Sequence, residues 1–191
     1  MRRLIWLCAL LPALAQAGDR QSRLERGEVL IRTVKVDDSG MPEARVEAVL
    51  DAPPAAVFEV VSNCDKLEER MPRMERSRSL GREGGESLCE TTVDMPFPIR
   101  NLTAVTRSRL VEGPPLWSKK WKLVRGDFRT NDGMWEVRAW QDDPKRSHVH
   151  YRIHAVPELA VPDFLQRFAQ KKSLPDVMAN VEKQARKLGQ R

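Results

Sequence analysis

The sequence has no Gly-x-Ser-x-Gly elbow, no His-Glu-x-x-His pair and no phosphate-cradling glycine loop. No motif therefore argues for a serine hydrolase, a zinc peptidase or a nucleotide-dependent enzyme. Internal repeats, low-complexity tracts and dividing linkers are missing too, so a single domain is expected. Long apolar runs are also absent. The most apolar stretch, LIWLCALLPALA at 4–15, is too short to span a bilayer comfortably. The formal charge of +6 is spread along the chain without a dense basic block. That distribution suits solubility or a loose attraction to an anionic membrane surface, and it argues against nucleic acid as a partner.

The amino-terminal stretch has the layout of a secretory signal peptide. Arg2 and Arg3 precede the apolar core, and Ala15-Gln16-Ala17 supplies a small-x-small cleavage site. After Gly18 the chain turns polar (DRQSRLERGE), so no stop-transfer pattern follows. Cys8 lies inside the apolar core, away from the cleavage boundary where a lipoprotein needs it. The expected division is a signal peptide over 1–17, a flexible lead-in over 18–27 and one domain over 28–191, exported to the periplasm or beyond. Cleavage after Ala17 leaves 174 residues, enough for a sizeable core, and lowers the formal charge to +4.

Within the domain, VLIRTVKV (29–36) and ARVEAVL (44–50) read as a hairpin around the Asp37-Asp38-Ser39-Gly40 turn. Pro53-Pro54 opens a helix with Val57, Val61, Cys64, Leu67 and Met71 on one face, ended by Pro72. From 73 to 156 period-two runs alternate with turn signals at Gly81, Gly84-Gly85, Gly113-Pro114-Pro115, Asn131-Asp132-Gly133 and Asp142-Asp143-Pro144. That is an antiparallel meander, and the sheet should have about seven strands. Residues 161–188 form a long amphipathic helix, with a kink or a junction expected at Pro175.

Three groups of side chains stand out. Trp121, Trp135 and Tyr151 occupy the apolar phase of three successive strands, and Phe164, Phe168, Met178 and Val181 face them from the last helix. Such a layer suits an adaptable apolar pocket, and equally a packed core. Cys64 and Cys89 both point inward and should lie close, either as a disulfide or as two separate buried thiols. His148, His150 and His154 share the strand face opposite Val149, Tyr151 and Ile153, which directs them to solvent. Arg152 stands among them and opposes a cation, so no metal site is expected. Asp94 and Arg100 flank the Pro96-Phe97-Pro98 segment, as cavity-mouth groups or as a surface ion pair.

The order hairpin, helix, meander, long final helix resembles the α+β helix-grip fold of the START-like, or polyketide cyclase (SRPBCC), superfamily. APPAAVFEVVSNCDKLEERMPRM is similar to that family's helix and Met-Pro segment after the first hairpin. Pro96-Phe97-Pro98-Ile99-Arg100 and VPDFLQRFAQKKSLPDVMANVEKQ resemble its Pro-x-Pro strand and its last helix. The resemblance covers residues 28–188 and includes the coenzyme Q-binding START-type branch. It implies a curved sheet around the final helix and an apolar ligand, a lipid or quinone, held beneath that helix by a monomer in transient contact with membranes. It implies no cofactor. A cyclase or aromatase acting on a polyketide-like molecule in the same cavity is the alternative, and an adaptor with a collapsed cavity is a third reading. Sequencing the exported protein should return Gly18 as its first residue; a full-length, membrane-embedded product overturns the cleavage.

Overall fold

The computed structural model describes residues 11–37, 39–97, 99–159 and 172–190. Eight strands form one antiparallel sheet: β1 (Leu30–Val34), β2 (Glu43–Leu50), β3 (Met74–Glu83), β4 (Glu86–Val93), β5 (Leu102–Val111), β6 (Trp117–Gly126), β7 (Phe128–Trp140) and β8 (Asp143–Pro157). Their order is β1-β2-β8-β7-β6-β5-β4-β3, one strand more than the seven expected. The sheet is curved and open, in the helix-grip arrangement. Bulges in the β3–β4, β5–β6 and β7–β8 pairings add local twist, which is how a long antiparallel sheet curls.

Among the described residues four α-helices accompany it: α1 (Leu11–Glu25), α2 (Pro54–Ser62), α3 (Leu67–Arg70) and α4 (Leu174–Gly189). Pro54 starts α2 because a first-turn residue needs no intrahelical N–H bond, and the Val57 amide donates to the Pro53 carbonyl at 3.0 Å. The single helix expected from 53 to 71 is broken. Asn63 is extended (φ −75°, ψ 98°), and Cys64–Lys66 form a 3-10 turn before α3. The break redirects Cys64 toward β4, where it is bonded to Cys89 with a Cα–Cα distance of 5.9 Å. Pro175 stands in the first turn of α4, following a wider π turn at Lys172 and Ser173. Residues 161–171 of the expected helix lie outside the described residues.

Asn131-Asp132-Gly133 is not a turn, as its composition suggested, but the interior of β7. The reversal falls earlier, at Gly126 (φ 140°) and Asp127, where a side chain at Gly126 would meet the Thr103 carbonyl at 2.3 Å. Asp127 closes the turn: its carboxylate accepts the Thr103 amide at 2.7 Å and Arg100 at 2.8 Å. Arg100 beside it holds the Asp127 carboxyl below the ordinary carboxylate range. Asp94 pairs instead with Arg73, at 3.6 Å.

One face of the sheet carries α2 and α4. Val46, Ala48, Val57, Val61, Val137, Val149, Met178, Val181 and Ala185 are buried together there. The other face carries α1. The lead-in expected to be loose over 18–27 is helical as far as Glu25, because Leu24 is buried against Val49 and Trp140 while Arg20 forks Glu47.

The disulfide spans a separation of 25 residues, and closing a loop of that size stabilises a fold by about 3 kcal/mol. Denatured, unreduced protein should titrate two fewer thiols than reduced protein. Equal counts refute the bond.

Candidate ligand-binding site

Antiparallel pairing places side chains across the concave face in rows. Val46, Tyr151, Trp135, Lys119 and Leu110 form one row, from β2 through β8, β7 and β6 to β5. Tyr151 stacks on Trp135 with ring centroids 4.1 Å apart, and Trp121 lies 6.3 Å from Tyr151 in the next row. Trp135, Tyr151, Met178 and Val181 are buried in the main core, and Trp121 packs at its edge. The structure thus brings together five of the seven residues expected to line a pocket. Phe164 and Phe168 lie outside the described residues.

Trp121 can lie flat across β7 only because residue 133 is glycine. A Cβ there would stand 2.2 Å from Trp121 Cζ2 and 2.5 Å from the Arg152 carbonyl. The indole Nε1 donates to Asn131 Oδ1 at 3.1 Å, which fixes the ring's direction. Asn131 and Gly133 therefore serve the tryptophan.

Burial is uneven along this face. Val149, Val137 and Trp135, under α2 and α4, are buried. Further along the same face Trp121 and Leu123 of β6 and Ile153 and Ala155 of β8 face inward but are only partly covered. A separate apolar cluster of Leu102, Ala104 and Phe128 lies beyond them. Beside Trp121 on β5 stands Ser108, 2 % exposed, whose hydroxyl has no hydrogen-bond partner among the described residues. A buried hydroxyl without a partner costs free energy unless something else satisfies it.

Lys119 escaped the sequence reading. It alternates with Trp117 and Trp121 in WSKKW, so period two already marked it as inward-facing. Its amine donates to the Val61 carbonyl at 3.0 Å, and burial lowers its pKa to about 8. Burial likewise pushes the Tyr151 phenol upward. A charged groove of about 450 Å³, lined by Lys66, Glu69, Arg70, Gln184, Lys187 and Leu188, runs between α3 and α4. It lacks the apolar lining that a hydrophobic molecule needs.

The three histidines do lie on the opposite, convex face, but they are not simply solvated. His154 is buried, with Nε2 3.2 Å from the Met41 carbonyl oxygen. His148 contacts Glu47, and Trp140 meets its ring edge-on. The reason is that β2 and β7 bring carboxylates and an indole beside the histidines of β8, which its own sequence does not disclose.

The family described as "Polyketide cyclase / dehydrase and lipid transport" matches residues 50–182. Among solved structures, the chain is similar to a STAR-related lipid transfer protein from Xanthomonas axonopodis: TM-score 0.66, 18% identity, 80% of this chain and 93% of that one. It is also similar to human StAR-related lipid transfer protein 5: TM-score 0.67, 9% identity, 95% and 99% covered. A third similarity is to the Zhui aromatase/cyclase from Streptomyces sp. R1128, with TM-score 0.59, 17% identity, and 83% and 96% covered. No curated protein matches the chain in sequence.

Gly133→Ala tests the seat of Trp121. The overlap with the Arg152 carbonyl is with backbone, so movement of the indole alone does not relieve it. The substitution should cost about 1–3 kcal/mol and shift tryptophan emission. Unchanged stability and emission would show that the ring does not depend on this glycine.

Proposed function

We propose that this chain, which belongs to the polyketide cyclase / dehydrase and lipid transport family, holds an apolar molecule with one polar end against its concave sheet. The observation that carries this reading is the band of partly covered, inward-facing apolar residues, Trp121, Leu123, Ile153 and Ala155, beside the unpartnered Ser108 hydroxyl. Packed protein interiors leave few such positions, and apolar sites with a small number of placed polar groups are the usual form of a ligand pocket. A lipid or a quinone has this chemistry. The names of the lipid transfer proteins similar in fold agree with it.

Carriage is favoured over catalysis by the state of the inward ionisable groups. Lys119 is engaged with the Val61 carbonyl and sits in the buried row, and the Tyr151 phenol is held protonated by burial. Neither has a second ionisable group beside it to complete an acid–base pair among the described residues. The protein works as a monomer that meets membranes transiently, and it works after export. Two features support export. The Cys64–Cys89 bond persists in an oxidising compartment. Cleavage after Ala17 also retains Arg20 and Leu24, both of which attach α1 to the sheet.

The test uses purified protein stripped of bound lipid and titrated with a fluorescent lipophilic probe. Wild type should bind saturably, and Trp121→Ala should weaken binding about tenfold or more with the fold intact by circular dichroism. Val181→Trp, at a fully buried position, should instead overpack the core at about 1–3 kcal/mol. A wild type that binds no probe and releases no lipid on solvent extraction overturns the reading.

A further inference from the structure

The convex face holds a second set of chemistry-bearing side chains that ligand binding does not use. In the β2–β8 pairing Glu47 stands opposite His150, with His148 two residues along on the same face. Glu47 Oε1 lies 2.7 Å from His148 Nε2 and 3.9 Å from His150 Nε2, and the two imidazole centroids are 4.4 Å apart. One ligand atom from each of the three falls within 4.8 Å of the other two. An ion bound at about 2.0–2.2 Å to two imidazoles and a carboxylate holds its donors roughly 3–3.5 Å apart. The three groups thus bracket the required spacing on adjacent strands inside the sheet. We propose that Glu47, His148 and His150 form a binding site for a divalent transition-metal ion of the zinc or copper class.

Donor chemistry sets the class, since imidazole with carboxylate suits zinc, copper and nickel better than magnesium or calcium. A metal takes imidazole and carboxylate in their deprotonated forms, so the three side chains offer two nitrogens and a carboxylate oxygen as donors. Side-chain exposure rises from 13% at Glu47 through 22% at His148 to 40% at His150, so the site opens on the His150 side. Glu136 of β7 pairs with His150 across the strands on that face, but its carboxylate lies outside the cluster.

Arg152, which seemed to oppose a cation, is neutralised by Glu43 at 2.7 Å and Asp132 at 3.4 Å. Arg20 is the real competitor. Its guanidinium takes both Glu47 oxygens, with Nε 2.8 Å from Oε2, and it occupies the electrostatic place of an ion. Metal binding therefore displaces part of this fork, and α1 becomes coupled to the ion.

The test is calorimetric titration of the full chain, free of any histidine tag, with zinc alone. One equivalent should bind. His148→Ala/His150→Ala should weaken binding about 100-fold or more, and Arg20→Ala should tighten it about tenfold. Copper loaded at one equivalent should show coupling to two nitrogens by electron paramagnetic resonance, lost in the double variant and kept in His154→Ala. Absence of one-equivalent binding in both wild type and Arg20→Ala overturns the proposal, as does binding that survives in a folded double-histidine variant. In either case the cluster only anchors α1.

Discussion

An ammonium group buried in an apolar row must find oxygen, and Lys119 finds it at the carbonyl of Val61. That carbonyl lies in the last turn of α2, where carbonyls lack intrahelical partners and the negative end of the helix dipole favours a cation. The contact fixes where α2 crosses the sheet. Beside it packs α4, whose Gly189 lies in ordinary van der Waals reach of Pro53, an added Cβ standing 3.4 Å from the proline ring. Beyond α2 the chain turns at Asn63, and Cys64 is delivered to β4. One end of the concave face is filled by these attachments, while the end around Trp121 and Ile153 keeps apolar surface uncovered. The proposed site and the core are two portions of one layer.

The two faces of the sheet follow different physics. The concave face is held by burial of apolar area and by stacked aromatics. The convex face is held by charge, with Glu43 and Glu47 each drawing in two or more cationic or imidazole groups. Burial disfavours both carboxylates, but Arg152 and Arg45 around Glu43, and Arg20 and His148 around Glu47, keep them ionised. Because these glutamates are buried more than their partners, losing one partner costs more here than at an exposed ion pair.

Strand positions were legible because alternation survives in nearly every run, from Ala44–Leu50 to Val149–Ile153. The inward direction of Trp121, Trp135 and Tyr151 followed from the same alternation. What failed was local chemistry read without its neighbours. Gly133 looked like a turn residue because its true partner, the indole of Trp121, reaches it from another strand. Asn63 carries no strong breaker signal, so the interruption of the helix before Cys64 was invisible. The helix over 18–25 was missed because few of its described side chains attach it, Arg20, Leu24 and Glu25 among them, and these make no periodic apolar stripe. The setting of the histidines was out of reach for a simpler reason: Glu47 is about a hundred residues away along the chain and adjacent only through register.

The strand order imposes a schedule on folding. From β3 to β8 every strand pairs with its sequence neighbour, so this meander can grow by local hairpins as the chain becomes available. The β1–β2 hairpin is made early, yet the free edge of β2 has to wait for β8, because Val46 pairs with Tyr151 and Ala48 with Val149. Until the last strand arrives, the apolar side of that hairpin has no layer to cover it. Pairings of such sequence separation form slowly and leave strand edges open to wrong partners. The chain therefore carries its most vulnerable edge at the front, and completes its sheet only when nearly all of it is available to fold.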